Sequence, residues 1–142
     1  MTQDAVDETT EFTARVARRL EQEYVVWLTS VGRDGTPQPN PVWFLWDGTA
    51  FTVYTSPRSH RVAHLRERPR VTLHLDGGPR GRDIVVLSGT AEFAADGGPP
   101  TGDPAYMDKY GELILRVFGS HEEFDRTHPL ALRVVPDRVR GR

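Results

Sequence analysis

Apolar residues in this chain switch between two spacings, and the switches mark out its elements. Phe12, Val16, Ala17 and Leu20 recur at steps of three and four between Glu11 and Gln22. That spacing predicts one amphipathic helix lying across a sheet, its arginines outward. Residues 24–31 form a dense run of β-formers, followed by a turn carrying Asp34-Gly35, and an extended segment resumes from Pro37 to Trp46. Together they predict a long hairpin. Pro39 and Pro41 each remove a ladder donor, which predicts an edge strand, a bulge, or carbonyls left free for a ligand. After the Asp47-Gly48-Thr49 turn comes Phe51–Thr55, a break at Ser56-Pro57, a short helical pattern with Val62 and Leu65 one turn apart, and an alternating run to Leu75. This stretch reads as strand, capped helix, strand, with Pro69 ending the helix.

Beyond a glycine-rich loop at 77–82, Ile84 to Phe93 predicts a further strand, and Gly89 within it predicts a bulge or sharp bend of the kind that closes a small barrel. Residues 95–102 form a surface loop. Asp103-Pro104 opens a helix running to Gly119, Ser120 with Glu123 has the capping-box spacing, and a last strand from Leu130 to Val135 stops at Pro136. Some six strands joined by hairpins, with three or four short helices, predict an α+β fold, mainly β, built as an antiparallel barrel with helical decorations.

At 142 residues the chain is expected to form one domain over 1–142, with a loose acidic tail over 1–10. Its net charge of −2 gives no electrostatic case for nucleic acid, so any cationic site must be local. The sequence has no cysteine, which excludes disulfides, thiolate metal sites and a cysteine nucleophile. No apolar run approaches the length of a membrane span, so no membrane association and a cytoplasmic location are expected.

Candidate chemistry concentrates at the start of the short central helix. Ser59 stands at its N-cap, with Arg58 and Arg61 within one turn of the same backbone N–H groups, an arrangement suited to a phosphate. On spacing alone, Ser59 as a cap and the arginines as a solvated face remains an open alternative. His60 and His64 have the i, i+4 spacing of a helical metal pair, but no acid lies at a matching place, and no metal site is expected. No nucleophile and base pair emerges, and the catalytic residues stay unassigned.

The order TSVGRDGTPQPNPVWFLWDG, then a β-run closing in YTS, then SHRVAHLRERPRVTL, resembles the split-barrel family of pyridoxamine 5′-phosphate oxidase-like flavin and deazaflavin proteins. The resemblance implies a six-stranded antiparallel split β-barrel of the FMN-binding type. It further implies a homodimer with cofactor sites at the interface, and Trp43 and Trp46 would find a role there. Carried over residue by residue, it implies that Tyr54 and Thr55 end the strand beside the cofactor ring, and that Asn40, Pro41, Val42 and Trp43 flank that ring. It also implies that Ser59, His60 and Arg61 form the phosphate segment, with Arg58 added beside them. Where flavin-using relatives carry Arg and Lys, this chain reads Pro41 to Trp46 as PVWFLW, which turns the reading toward coenzyme F420 and away from FMN. The implied activity is hydride transfer between reduced F420 and a small organic substrate. The alternatives are an FMN-dependent oxidase-like flavoprotein and a carrier that binds cofactor without turnover.

Overall fold

A computed structural model describes the backbone of residues 10–141, with side chains from Ala14 onward. Residues 1–9 of the expected tail, and the side chain of Phe12, lie outside the described residues. The elements in order are α1 (Thr10–Gln22), β1 (Val26–Val31), β2 (Pro37–Val42), β3 (Leu45–Trp46), β4 (Phe51–Thr55), α2 (His60–Glu67), β5 (Arg70–His74) and β6 (Val85–Phe93). A short 3₁₀ turn (Pro100–Gly102), α3 (Pro104–Phe118), α4 (His121–Thr127) and β7 (Leu130–Gly141) complete the chain.

All seven strands join one antiparallel sheet in the order β2-β1-β5-β6-β7-β4-β3, curled into a half-barrel. The sequence predicts six strands because Pro37–Trp46 reads as one extended run. The break falls at Trp43-Phe44. There the Phe44 N–H donates to the Tyr110 hydroxyl at 2.9 Å instead of to a neighbouring strand, and its carbonyl accepts from Lys109 Nζ at 3.1 Å. The final strand is also longer than predicted: it passes through Pro136 and ends at Gly141. Pro136 is tolerated because it faces Gly89 at the register shift of β6, where no regular ladder bond is required of it. A Cβ on Gly89 would stand 2.5 Å from the Val135 carbonyl oxygen, so only glycine fits this close backbone approach.

Two cores result. The first lies inside the curl, with Leu28, Phe44, Phe51, Leu73 and Leu132 fully buried and Val16 and Leu20 of α1 packed over it. Of the α1 arginines Arg18 is exposed, whereas Arg15 and Arg19 turn to the sheet. Arg19 donates to the Asp76 carbonyl at 2.9 Å and the Asp83 carbonyl at 3.1 Å, and Arg15 pairs with Asp83, so α1 is clamped to the β5–β6 loop. The second core is aromatic. It gathers Tyr54, Tyr106, Tyr110, Ile114 and Phe124 where α3 and α4 cover β4 and the β2–β3 break.

The helix ends follow their sequence signals. Asp103 Oδ1 accepts from the Tyr106 N–H at 3.2 Å, Ser120 Oγ accepts from the Glu123 N–H at 3.0 Å, and Gly119 closes α3 at φ 89°. Among the described residues, no helix is long and apolar enough to cross a membrane.

Candidate functional site

Between the curled sheet and the α3–α4 pair lies a cavity of about 200 Å³, lined by Pro41, Val42 and Trp43 from one side and Tyr54 and Arg61 from another. Tyr106, Val117, Phe118, Phe124 and His128 close it from the helices. Each wall follows from local structure. β4 runs FTVYT, and its end delivers Tyr54 and Thr55 inward, both buried. The Ser56-Pro57 break then turns the chain into α2, whose second residue is Arg61.

Arg61 is the electrostatic feature of the cavity. Its guanidinium donates through one Nη to Thr55 Oγ1 at 3.1 Å, while Nε is buried with no hydrogen-bond partner. Burial, with no acid acting against it, pushes the Arg61 guanidinium below its ordinary range. A half-buried cation without a counter-ion is expensive to maintain, several kcal/mol for a fully desolvated one. Such groups are retained where an anion arrives from outside.

The opposite wall is aromatic. Trp43 stacks on Tyr110 at 5.1 Å and meets Phe118 edge-on at 5.9 Å. The Tyr54 hydroxyl donates to Asp103 Oδ2 at 2.9 Å, and burial followed by that carboxylate pushes it above the ordinary phenol range. Burial does the same to Tyr106 and Tyr110, so these phenols stay neutral. Behind the wall Lys109, the one lysine of the chain, lies 4.1 Å from the Phe44 ring, and burial pushes its amine down to about 8.

The sequence-predicted residues therefore separate into groups. Pro41, Val42, Trp43, Tyr54 and Arg61 line the cavity, and Thr55 holds Arg61 in place. Ser59 is the N-cap of α2, its Oγ accepting from the Arg61 N–H at 3.2 Å. Asn40 sits on the edge strand with Nδ2 toward the Gln38 carbonyl at 3.5 Å, and His60 is exposed. Arg58 is exposed as well and lines a separate recess with Ser56, Pro57, Arg126 and Thr127. Trp43 and Trp46 are not exposed aromatics awaiting an interface. Both are half-buried, Trp43 in the aromatic core and Trp46 against Phe51 at 4.9 Å. Among the described residues the exposed aromatic side chains are Tyr24 and Trp27. Sequence reading missed Tyr106, Val117, Phe118, Phe124 and His128. The helical spacing of Tyr106 and Tyr110 signals burial without showing that a cavity lies against it.

Comparison with known proteins adds the following. The sequence model of the pyridoxamine 5′-phosphate oxidase family matches residues 12–141. No curated protein matches the sequence. Among solved structures, general stress protein 26 of Bacillus anthracis is similar at 17% identity, covering 92% of each chain with a TM-score of 0.69. An F420 reductase is similar at 21% identity, covering 87% of this chain and 94% of its own, with a TM-score of 0.63. A FAD-binding protein from Mesorhizobium loti is similar at 19% identity over 89% of each chain, with a TM-score of 0.66. At these identities the likeness is one of fold.

Proposed function

Because the chain belongs to the pyridoxamine 5′-phosphate oxidase family, we propose that it is an oxidoreductase that binds reduced coenzyme F420 and passes a hydride to a small organic substrate. The observation that carries this reading is Arg61, a half-buried guanidinium with a buried, unpartnered Nε where strand, helix and aromatic wall meet. The cavity suits an anionic group with an apolar body beside it. At about 200 Å³ it is smaller than typical enclosed cofactor pockets, so it would take the phosphate end of the coenzyme while the ring lies outside it. A ring site shared with a second copy of the chain, in a homodimer, supplies the missing cover.

When bound, a deazaflavin supplies the hydride chemistry itself. The chain's residues then have three tasks. Arg61 anchors the anion, Thr55 fixes the guanidinium, and Trp43 with Phe118 and Phe124 keeps the cavity dry. Deazaflavin is favoured over FMN because residues 41–46 read PVWFLW, with no base where the flavin-using proteins this sequence resembles carry Arg and Lys.

The test is titration of the purified protein with F420, FMN and haem in parallel. Binding of F420 with a Kd below about 100 μM, some 5.5 kcal/mol, is expected, together with loss of the reduced coenzyme on addition of an enone, quinone or nitroaromatic. Retained yellow colour and preferential FMN binding would move the chain to the flavin reading. Tight F420 binding without turnover on any substrate would make it a carrier. Arg61→Ala is expected to weaken coenzyme binding by about 1–3 kcal/mol, and an unchanged Kd in a folded variant removes Arg61 from the site.

A further inference from the structure

The cavity holds a second titratable group beside Arg61. His128 follows α4 directly, and its ring lies on Phe124 at 4.7 Å and edge-on to Phe118 at 5.2 Å. Its Nδ1 stands 2.7 Å from Thr127 Oγ1, whose hydroxyl donates to the Glu123 carbonyl at 2.9 Å. A hydroxyl has one hydrogen to give, so the short contact is made by Nδ1–H donating to Thr127 Oγ1. The neutral ring then carries its lone pair on Nε2, which has no protein partner among the described residues and belongs to a cavity-lining side chain.

We propose that His128 is a titrating ligand of the anion site: it is neutral beside Arg61 alone, and it takes up a proton when a dianionic phosphate group binds there, donating Nε2–H to that group. The inference rests on the phosphate-anchor reading of Arg61. Charge matching carries it. One guanidinium leaves half of a dianion unbalanced in a half-open cavity walled largely by aromatic rings, and His128 is the group placed to supply the second positive charge.

The surroundings of His128 agree. Burial and then the Arg61 charge hold its imidazole below the ordinary histidine range, so near neutral pH it carries no proton until a negative charge arrives. Among the described residues no other group is placed to supply that charge. Tyr54 of β4 and Tyr106 of α3 are held neutral, and Asp103 is engaged by the Tyr54 hydroxyl. On α4, Glu123 pairs with Arg126, and Asp125 accepts from Thr101. Pro41, Val42 and Trp43 bring no charge to the remaining wall.

The sign follows by linkage. A site that gains a proton on binding loses affinity as pH rises, by up to roughly tenfold per pH unit for one proton. The test is isothermal calorimetry near pH 7.5, in several buffers of different ionisation enthalpy, of FMN and inorganic phosphate, which bring a dianion, and of F420, whose phosphodiester brings one charge. Wild-type protein is expected to take up a substantial fraction of one proton per dianionic phosphate group, and little with F420. His128→Gln, which keeps a polar side chain but cannot titrate, is expected to bind several-fold more weakly and to show none of that uptake. The difference between the two proteins removes the phosphate's own titration. An NMR titration of the His128 ring in wild-type protein serves as a second readout, its midpoint expected to rise on adding FMN. Binding with equal proton uptake in both proteins, or a His128 midpoint that does not move, overturns this inference alone. Failure of all three probes to bind overturns both it and the phosphate-anchor reading.

Discussion

Arg61 can be judged on its own as a stability problem. Its guanidinium meets one hydroxyl, Thr55 Oγ1, and no carboxylate, and its Nε has no partner. An unbranched apolar side chain of similar length would fill the same space without desolvating a charge. Arg61→Met is therefore expected to raise the unfolding temperature of the ligand-free protein by a few degrees, about 1 kcal/mol, while abolishing coenzyme binding. A drop in Tm would show that the guanidinium is better satisfied than its surroundings indicate. At this scale the sequence was partly legible. A serine one residue before a helix start announces a cap, and Ser59 is one. What spacing could not separate was Arg58 from Arg61. Both stand near the helix start, but the helical turn sends Arg61 inward to Thr55 and leaves Arg58 on the surface. His128 was illegible because its contact with the cavity depends on how α4 packs, a long-range fact with no local signature.

Elements were more readable than residues, because a helix cap, a proline stop and an alternating run are each local. Helices α2, α3 and α4 and strands β1, β4, β5 and β6 stand where the hydrophobic pattern puts them, within a residue or two. The failures share one cause, namely backbone groups that find partners far away in sequence. Tyr110, 66 residues from Phe44, takes the Phe44 N–H and splits one predicted strand into β2 and β3. Gly89 lets β7 run past Pro136 in the same way, by opening the ladder opposite it. Gly89→Ala is expected to destabilise by about 1–3 kcal/mol, the range for forcing extra volume into a packed site. Urea unfolding with an unchanged m-value would measure it. The incoming methyl would meet the main chain at Val135 and Pro136, which cannot step aside as a flexible side chain could. A loss below a few tenths of a kcal/mol would show that β7 is not held as closely there as described.

For the whole molecule, the outer face of the sheet raises the question of assembly. Trp27, 38% exposed, lies parallel to His74 at 6.4 Å, and exposed Val25 lines one shallow recess with both. Large apolar side chains grouped in the open are the usual mark of a contact surface, and this group supports the proposed homodimer better than the half-buried Trp43 and Trp46 do. Trp27→Arg is expected to shift the sedimentation coefficient from dimer toward monomer and to weaken F420 binding in parallel. A dimer unaffected by that charge places the contact elsewhere.

Strand β2 ends the sheet on one side, and its prolines 37, 39 and 41 face Val31, Thr29 and Trp27 of β1 at every second position. Residues of equal parity turn their main-chain groups the same way, so the outward rim of this strand offers oxygen atoms without amide hydrogens between them. Another extended peptide laid along it would meet only half of the bonds it needs. The rim is thereby closed to runaway stacking of sheets, yet it stays receptive to any guest that brings its own hydrogens, as a hydroxylated chain does.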